Sequence, residues 1–180
     1  MTPSYAIVID ANGNGTGSHK WMDSTTMVLA SNEIECTEAQ AKNPTAYQVV
    51  NGSLVESLTF AKSAQIALLQ SAYQTAINAP VTFKNAAGVT STYPSGNTLL
   101  INGMRARDML AEVISAGSSA WTLGKWLDTN NVAQTFTFAD LQGLAAAMEA
   151  AITIDWSDLV TKIAEVNAAT TVAEVQAITF

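Results

Sequence analysis

Between Phe60 and Gly143 the chain carries a fixed order of stops and turns that few folds accommodate. A helical stretch near 60–79 places Ile66, Leu69, Tyr73 and Ile77 close to a 3.6-residue period, and Pro80 ends it. Residues 81–93 then read as a hairpin turning at Asn85–Ala86–Ala87–Gly88. Pro94–Ser95–Gly96–Asn97 is a loop, and Asn97 is positioned to cap a second helix over about 98–116. That helix turns Leu100, Met104, Leu110, Val113 and Ile114 towards a core, and Gly117 sits where a C-cap glycine belongs. Trp121–Leu127 and Val132–Phe136 follow as two strands joined at Asp128–Thr129–Asn130–Asn131. Thr137 with Asp140 opens a further helix bearing Leu141, Leu144, Met148 and Ile152. Short strands paired locally between amphipathic helices define an α+β protein.

The flanks extend the same pattern. Tyr5–Ala6–Ile7–Val8–Ile9 is a β-prone run ending at Asp10–Ala11–Asn12–Gly13–Asn14–Gly15, whose Asn-Gly pairs tolerate positive φ. A strand through His19–Lys20–Trp21 completes that hairpin. Thr37 and Gln40 form a capping box for a short helix before Pro44. Tyr47–Val50, Asn51–Gly52 and Ser53–Glu56 read as a type I′ hairpin. After Ile152, the apolar residues Trp156, Leu159, Ile163 and Val166 mark a separate helix. Thr171 with Glu174 caps a last one carrying Val172, Val175 and Ile178. The expected organisation is a small, mostly β module at 1–58 and an α+β helical domain at 59–180. The domain's core spans about 60–153 and its C-terminal helices 155–180.

Charge and composition narrow the function classes. With 15 acidic against 8 basic residues the net charge is −7, so phosphate backbones repel the chain and no nucleic-acid partner is expected. Arg105 and Arg107, the densest basic pair, read as a solvated helix face. The start Met1–Thr2–Pro3–Ser4–Tyr5 lacks the basic and apolar regions of a secretory signal. No apolar run reaches the roughly 18 residues needed to span a bilayer, so no membrane insertion is expected.

Catalytic inventory is scarce. One His and one Cys make at most half a zinc site, and His19 in a Gly/Ser-rich turn with Cys36 beside two acids does not suit a nucleophile pair, so no metal, cofactor or catalytic residue is expected. Cys36 reads as a buried structural thiol whose acidic neighbours Glu35 and Glu38 raise its pKa. His19 reads as a structural residue in a polar turn. Gly13–Asn14–Gly15–Thr16–Gly17 lacks the Gly-Lys-Ser/Thr ending of a phosphate loop and fits a hairpin turn better. Asp155 and Asp158 fit the dipole-favoured first turn of a helix rather than a glycosidase pair. Trp121 and Trp126 are the candidate protein-contact residues. Their odd spacing on one strand would put one in the core and the other at the surface, where exposed Trp often anchors an interface. The alternative is that both are buried.

The block from Phe60 to Leu144 resembles the domain of unknown function 4376 of tailed-phage proteins. The resemblance rests on the helix bearing Lys62, the hairpin with Gly88 and Tyr93, and the second helix ending at Gly117. It also rests on the Trp126 to Asn130 turn and the Thr137–Phe138–Ala139–Asp140–Leu141 helix start. Residues Ile163–Val175 are similar to the endings of phage tail-fibre assembly proteins, and Tyr5–Ile9 with Ile34–Gln40 are similar to their starts. Tyr93–Pro94–Ser95–Gly96 departs from the pattern, where relatives often carry an acidic residue.

What the resemblance implies is a non-enzymatic tail-fibre-associated protein, acting as an assembly chaperone or a retained cap. It would act in the host cytoplasm during assembly, with the virion tail as a second location. Its partner would be a tail-fibre or baseplate protein, and association with its own copies is compatible with that role. A stoichiometric baseplate or fibre adaptor and a glycan-binding tail module using an exposed Trp are the alternatives.

Overall fold

A computed structural model describes residues 3–22, 24, 27–100 and 102–180. Helix accounts for 45% and strand for 24%, with strands gathered towards the N-terminus and helices towards the C-terminus, so the protein is α+β. Contacts divide the chain into two compact units, Met1–Leu68 with Lys162–Thr179, and Leu69–Thr161 with Phe180. Both divisions fall inside long helices rather than at linkers.

In the first unit, β1 (Ser4–Ile9) is the centre of a three-stranded antiparallel sheet, flanked by β2 (Gly15–Trp21) and β3 (Glu33–Cys36). The β1–β2 turn is held by the Asp10 carboxylate, which accepts from the Asn12 and Asn14 N–H groups at 2.8 and 2.9 Å. Strand β3 has no signature of its own, with one Ile between two acids. Its pairing places Ile34 opposite the fully buried Ile7. Because β3 is an edge strand, Cys36 is half-buried rather than buried. Burial, followed by the Glu35 charge, pushes its thiol pKa up.

Helix α1 (Glu38–Ala41) carries the expected capping box, with Gln40 N–H donating to Thr37 Oγ1 at 3.3 Å. Strands β4 (Tyr47–Val50) and β5 (Ser53–Glu56) form the Asn51–Gly52 hairpin. Both turn residues have positive φ, 52° and 76°, as a type I′ turn requires. The unit also takes the start of α2 (Leu58–Ala76), the end of α4 (Phe138–Ala168) and α5 (Val172–Ala177). Lys62 Nζ donates to Asn167 O at 2.8 Å and Gln65 Nε2 to Ile178 O at 2.6 Å, tying these helical pieces together.

The second unit holds the hairpin β6 (Val81–Lys84) and β7 (Thr90–Tyr93), helix α3 (Ala106–Ala116), and the hairpin β8 (Lys125–Leu127) and β9 (Ala133–Thr135). Two sequence expectations change here. Helix α3 starts at Ala106, not near 98, and its N-cap is Arg105 without a side-chain bond, not Asn97. Asn97 instead donates its backbone N–H to Asn78 Oδ1. Residues 98–100 and 102–105 fold back on each other: Leu99 bridges Arg105, and Leu100 N–H donates to Met104 O at 2.7 Å. Left-handed Gly96 and Gly103, φ 56° and 79°, turn the chain where a helix would have continued. Ile101, inside the expected helix, lies outside the described residues.

The second change concerns the C-terminal helices. Two were expected, and the chain makes one, α4, of 31 residues. No Gly or Pro separates Ile152 from Trp156, so nothing stops the helix. Asp155 and Asp158 therefore sit mid-helix, half-buried, rather than in a first turn.

The core of this unit is Tyr93, Leu110, Trp126, Phe136, Leu141, Leu144 and Met148. Phe136 meets Tyr93 with ring centroids 5.2 Å apart and Phe83 at 5.9 Å. Gly143 lets α4 approach this cluster closely, since a Cβ there would stand 2.9 Å from the Phe83 ring.

Candidate functional site

The β8–β9 hairpin is positioned by Asp128. Its Oδ1 accepts from the Asn130 and Val132 N–H groups, both at 2.9 Å, closing a turn that Asn131 completes with φ 61°. Its Oδ2 accepts from the Ser91 hydroxyl at 2.9 Å and from Gln134 Nε2 at 3.1 Å. One carboxylate thus shapes its own turn and fastens it to β7. Thr129 N–H adds a bond to Thr92 O at 2.9 Å. The Val132 N–H is the main reason that the Asp128 pKa lies below the usual aspartate value. Burial opposes it, and Gln134, Ser91 and Asn130 reinforce it.

Asp140 does the same at the start of α4. It accepts from Thr137 N–H at 2.8 Å and Thr137 Oγ1 at 2.7 Å, as the Thr137–Asp140 pair predicts, and also from Ala86 N–H at 2.8 Å in the β6–β7 turn. Burial pushes its pKa up, but the Thr137 backbone and hydroxyl and the Ala86 N–H outweigh it, leaving the net value lowered. Asn85 joins the same seam: its Oδ1 accepts from Val89 N–H and its Nδ2 donates to Thr135 O, both at 2.9 Å. Tyr93, wholly buried, has its pKa raised by burial and then by Asp128 and Asp140.

Trp121 and Trp126 do not share a strand. Trp121 follows a 3-10 turn (Ser118–Ala120) and lies before β8, so alternation does not apply to the pair. Both turn inward, with ring centroids 6.3 Å apart. Trp126 is 4% exposed and belongs to the core. Trp121 is half-buried and donates its Nε1–H to Phe136 O at 2.9 Å. The buried Trp126 Nε1 and Tyr93 hydroxyl have no hydrogen-bond partner among the described residues. The most exposed Trp is Trp156, at 55%, stacked edge-on against Tyr73 at 5.8 Å.

Trp126 also forms part of a groove of about 140 Å³, lined by Leu100, Asn102, Met109 and Leu123 with the β8 residues Lys125, Trp126 and Leu127. Ligand pockets for whole small molecules run to roughly 300–1,000 Å³. This groove fits a side chain or a short apolar segment. Leu123, on its wall, is 69% exposed. Its signal in sequence is the Trp126 neighbourhood. The contribution of Leu100 and Asn102 depends on the 98–105 turn, which helical periodicity conceals.

Among the described residues, no group of three or more His, Cys, Asp or Glu side chains could hold a metal ion. His19 pairs through Nδ1 with Glu33 Oε1 on the first unit's sheet. No helix among the described residues is long and apolar enough to cross a membrane. Compared with protein-family models, with curated proteins and with solved structures, the chain matches none.

Proposed function

We propose that the chain is a bacteriophage tail-fibre-associated protein that binds the fibre as an assembly chaperone or retained cap, using the groove beside Trp126. The observation that carries this reading is the groove itself: an apolar recess with the exposed Leu123 on its wall. Contiguous exposed apolar surface marks a protein contact more often than a catalytic centre. The resemblance of Phe60–Leu144 to a phage tail domain supports the identity of the partner. The buried carboxylates Asp128 and Asp140 of the same unit support a binding rather than a chemical role, since both are engaged by several donors from their own chain.

A trimeric fibre exposes apolar and unpaired β surface until its chains have assembled, and such surface aggregates unless covered. A small acidic protein with an apolar recess would cover it in the host cytoplasm and either leave or remain as a cap. No enzymatic step, cofactor or nucleic acid enters this role. Co-expression with a phage tail-fibre protein tests the reading. The expected result is co-purification and a higher yield of trimeric fibre. Fibre yield and trimer content indifferent to this protein would overturn it. Stoichiometric retention in purified virions would select the cap or adaptor role over the chaperone.

A further inference from the structure

We propose that the outer edge of β8 is a strand-addition site, taking an extended segment of a second protein that is apolar at alternate positions and carries a carboxylate. The proposal deepens the docking role above and rests on it only for the identity of the partner.

The ladder defines the edge. Phe136 N–H donates to Gly124 O at 2.9 Å, Trp126 stands opposite Gln134, and Asp128 N–H donates to Val132 O at 3.0 Å. In an antiparallel pair, residues alternate between facing the partner strand and facing away. Gly124, Trp126 and Asp128 therefore face β9, and the N–H and C=O groups of Lys125 and Leu127 face outward. The opposite strand follows the same alternation: Thr135 faces away from β8, and its outward carbonyl accepts from Asn85 Nδ2. Among the described residues, the Lys125 and Leu127 backbones make no hydrogen bond.

This unpaired edge borders the groove, which Lys125 and Leu127 line together with Leu100, Asn102 and Met109. An added strand lies about 4.8 Å from its neighbour and directs alternate side chains to one face. Here that face would be the apolar recess. Peptides that extend a sheet take affinity from main-chain bonds and specificity from such side-chain pockets. Charge selects the occupant further. Among the described residues, Lys125 is the only charged residue lining the groove, in a chain of net charge −7, and it makes no ion pair. An acidic side chain on the incoming strand would meet it.

The test is a selection of yeast-displayed random dodecapeptides against the full chain, repeated on the variants Leu127→Pro, Leu127→Ala and Lys125→Glu. Proline at 127 removes an outward N–H and leaves the bonds to β9 intact. Selected peptides should alternate apolar residues and include Asp or Glu. They should bind Leu127→Pro about tenfold more weakly than Leu127→Ala, and Lys125→Glu about tenfold more weakly than the parent. In the parent chain, exchange of the Lys125 and Leu127 amides should slow at least about tenfold when the peptide is added, with Trp126 protected throughout.

No enrichment, peptides with a helical period, equal binding to the proline and alanine variants, or unchanged Lys125 and Leu127 exchange would each overturn the proposal. So would protection of those amides by a second copy of the chain alone. Failure of the fibre co-expression together with success here would remove the phage reading and leave the strand site standing.

Discussion

Two turn-forming carboxylates of the first unit and two of the second work in opposite ways. In the first, Asp10 and Glu174 are exposed and bind groups at most four residues away, closing a turn and capping α5. The Asn14 side chain first, then its backbone, lowers the Asp10 pKa. The Thr170 backbone is the main cause for Glu174. In the second, Asp128 and Asp140 are buried, and each joins its own turn to a hairpin 37 or 54 residues distant. A local exposed carboxylate adjusts one turn. A buried, distant one makes separate hairpins depend on each other, and that dependence holds the groove and the β8 edge in place.

The largest effect should come from the aromatic centre of the second unit. Phe136→Ala, at a 2% exposed position, is expected to cost about 3–5 kcal/mol by urea unfolding, because the cavity it leaves cannot collapse between Tyr93 and Phe83. Asp140→Ala should follow at about 2–3 kcal/mol, since the Ala86 and Thr137 N–H groups lose their acceptor. Faster amide exchange at Ala86 would locate that loss in the β6–β7 turn. If Asp140→Ala proved as mild as a cap mutation, the contrast between the units would fail.

Acid should act on the same seam. The folded pKa values of Asp128 and Asp140 lie below the ordinary value of about 3.9. Their contribution is therefore fully present above that unfolded value and is lost as pH falls through the depressed folded values. The melting temperature of the parent chain should change little through these two groups between about pH 5 and 7 and fall below about pH 4. Asp140→Asn should show a weaker acid dependence. In the first unit, Thr171→Ala should cost about 1 kcal/mol, the usual worth of an N-cap. Asp10→Asn should have the smallest effect of the series, visible as faster exchange at Asn12 and Asn14.

The same contrast decides what the sequence makes legible. The Asn51–Gly52 turn, the Thr37 and Thr171 capping boxes and the Asp10 turn are signalled by residues within a few positions of one another, and each forms as the local chemistry dictates. The α+β class follows from the same signals. Strand β3 is hidden because Glu33–Ile34–Glu35–Cys36 becomes a strand only by pairing with β1. The start of α3 is hidden because apolar spacing at Leu100 and Met104 imitates a helix, while Gly96 and Gly103 turn the backbone away from it. Asp155 and Asp158 imitate a helix start inside α4.

At the site, Trp126 was legible as a residue of interest, and its burial was one of the two readings the sequence left open. The expected division of Trp121 and Trp126 between two faces assumed a strand that begins only at Lys125. The tie from Asp128 to Ser91 and the unpaired β8 edge exist only once two hairpins have come together, so no local pattern announces them.

The most direct test of the account is hydrogen exchange of the full chain in the presence and absence of the proposed partner, a phage tail-fibre protein. The account predicts new protection at Lys125 and Leu127 and in the surrounding Leu100–Met109 segment, with the β2–β1–β3 sheet unchanged. Protection confined to the first unit's sheet, or absent from both units, would contradict it.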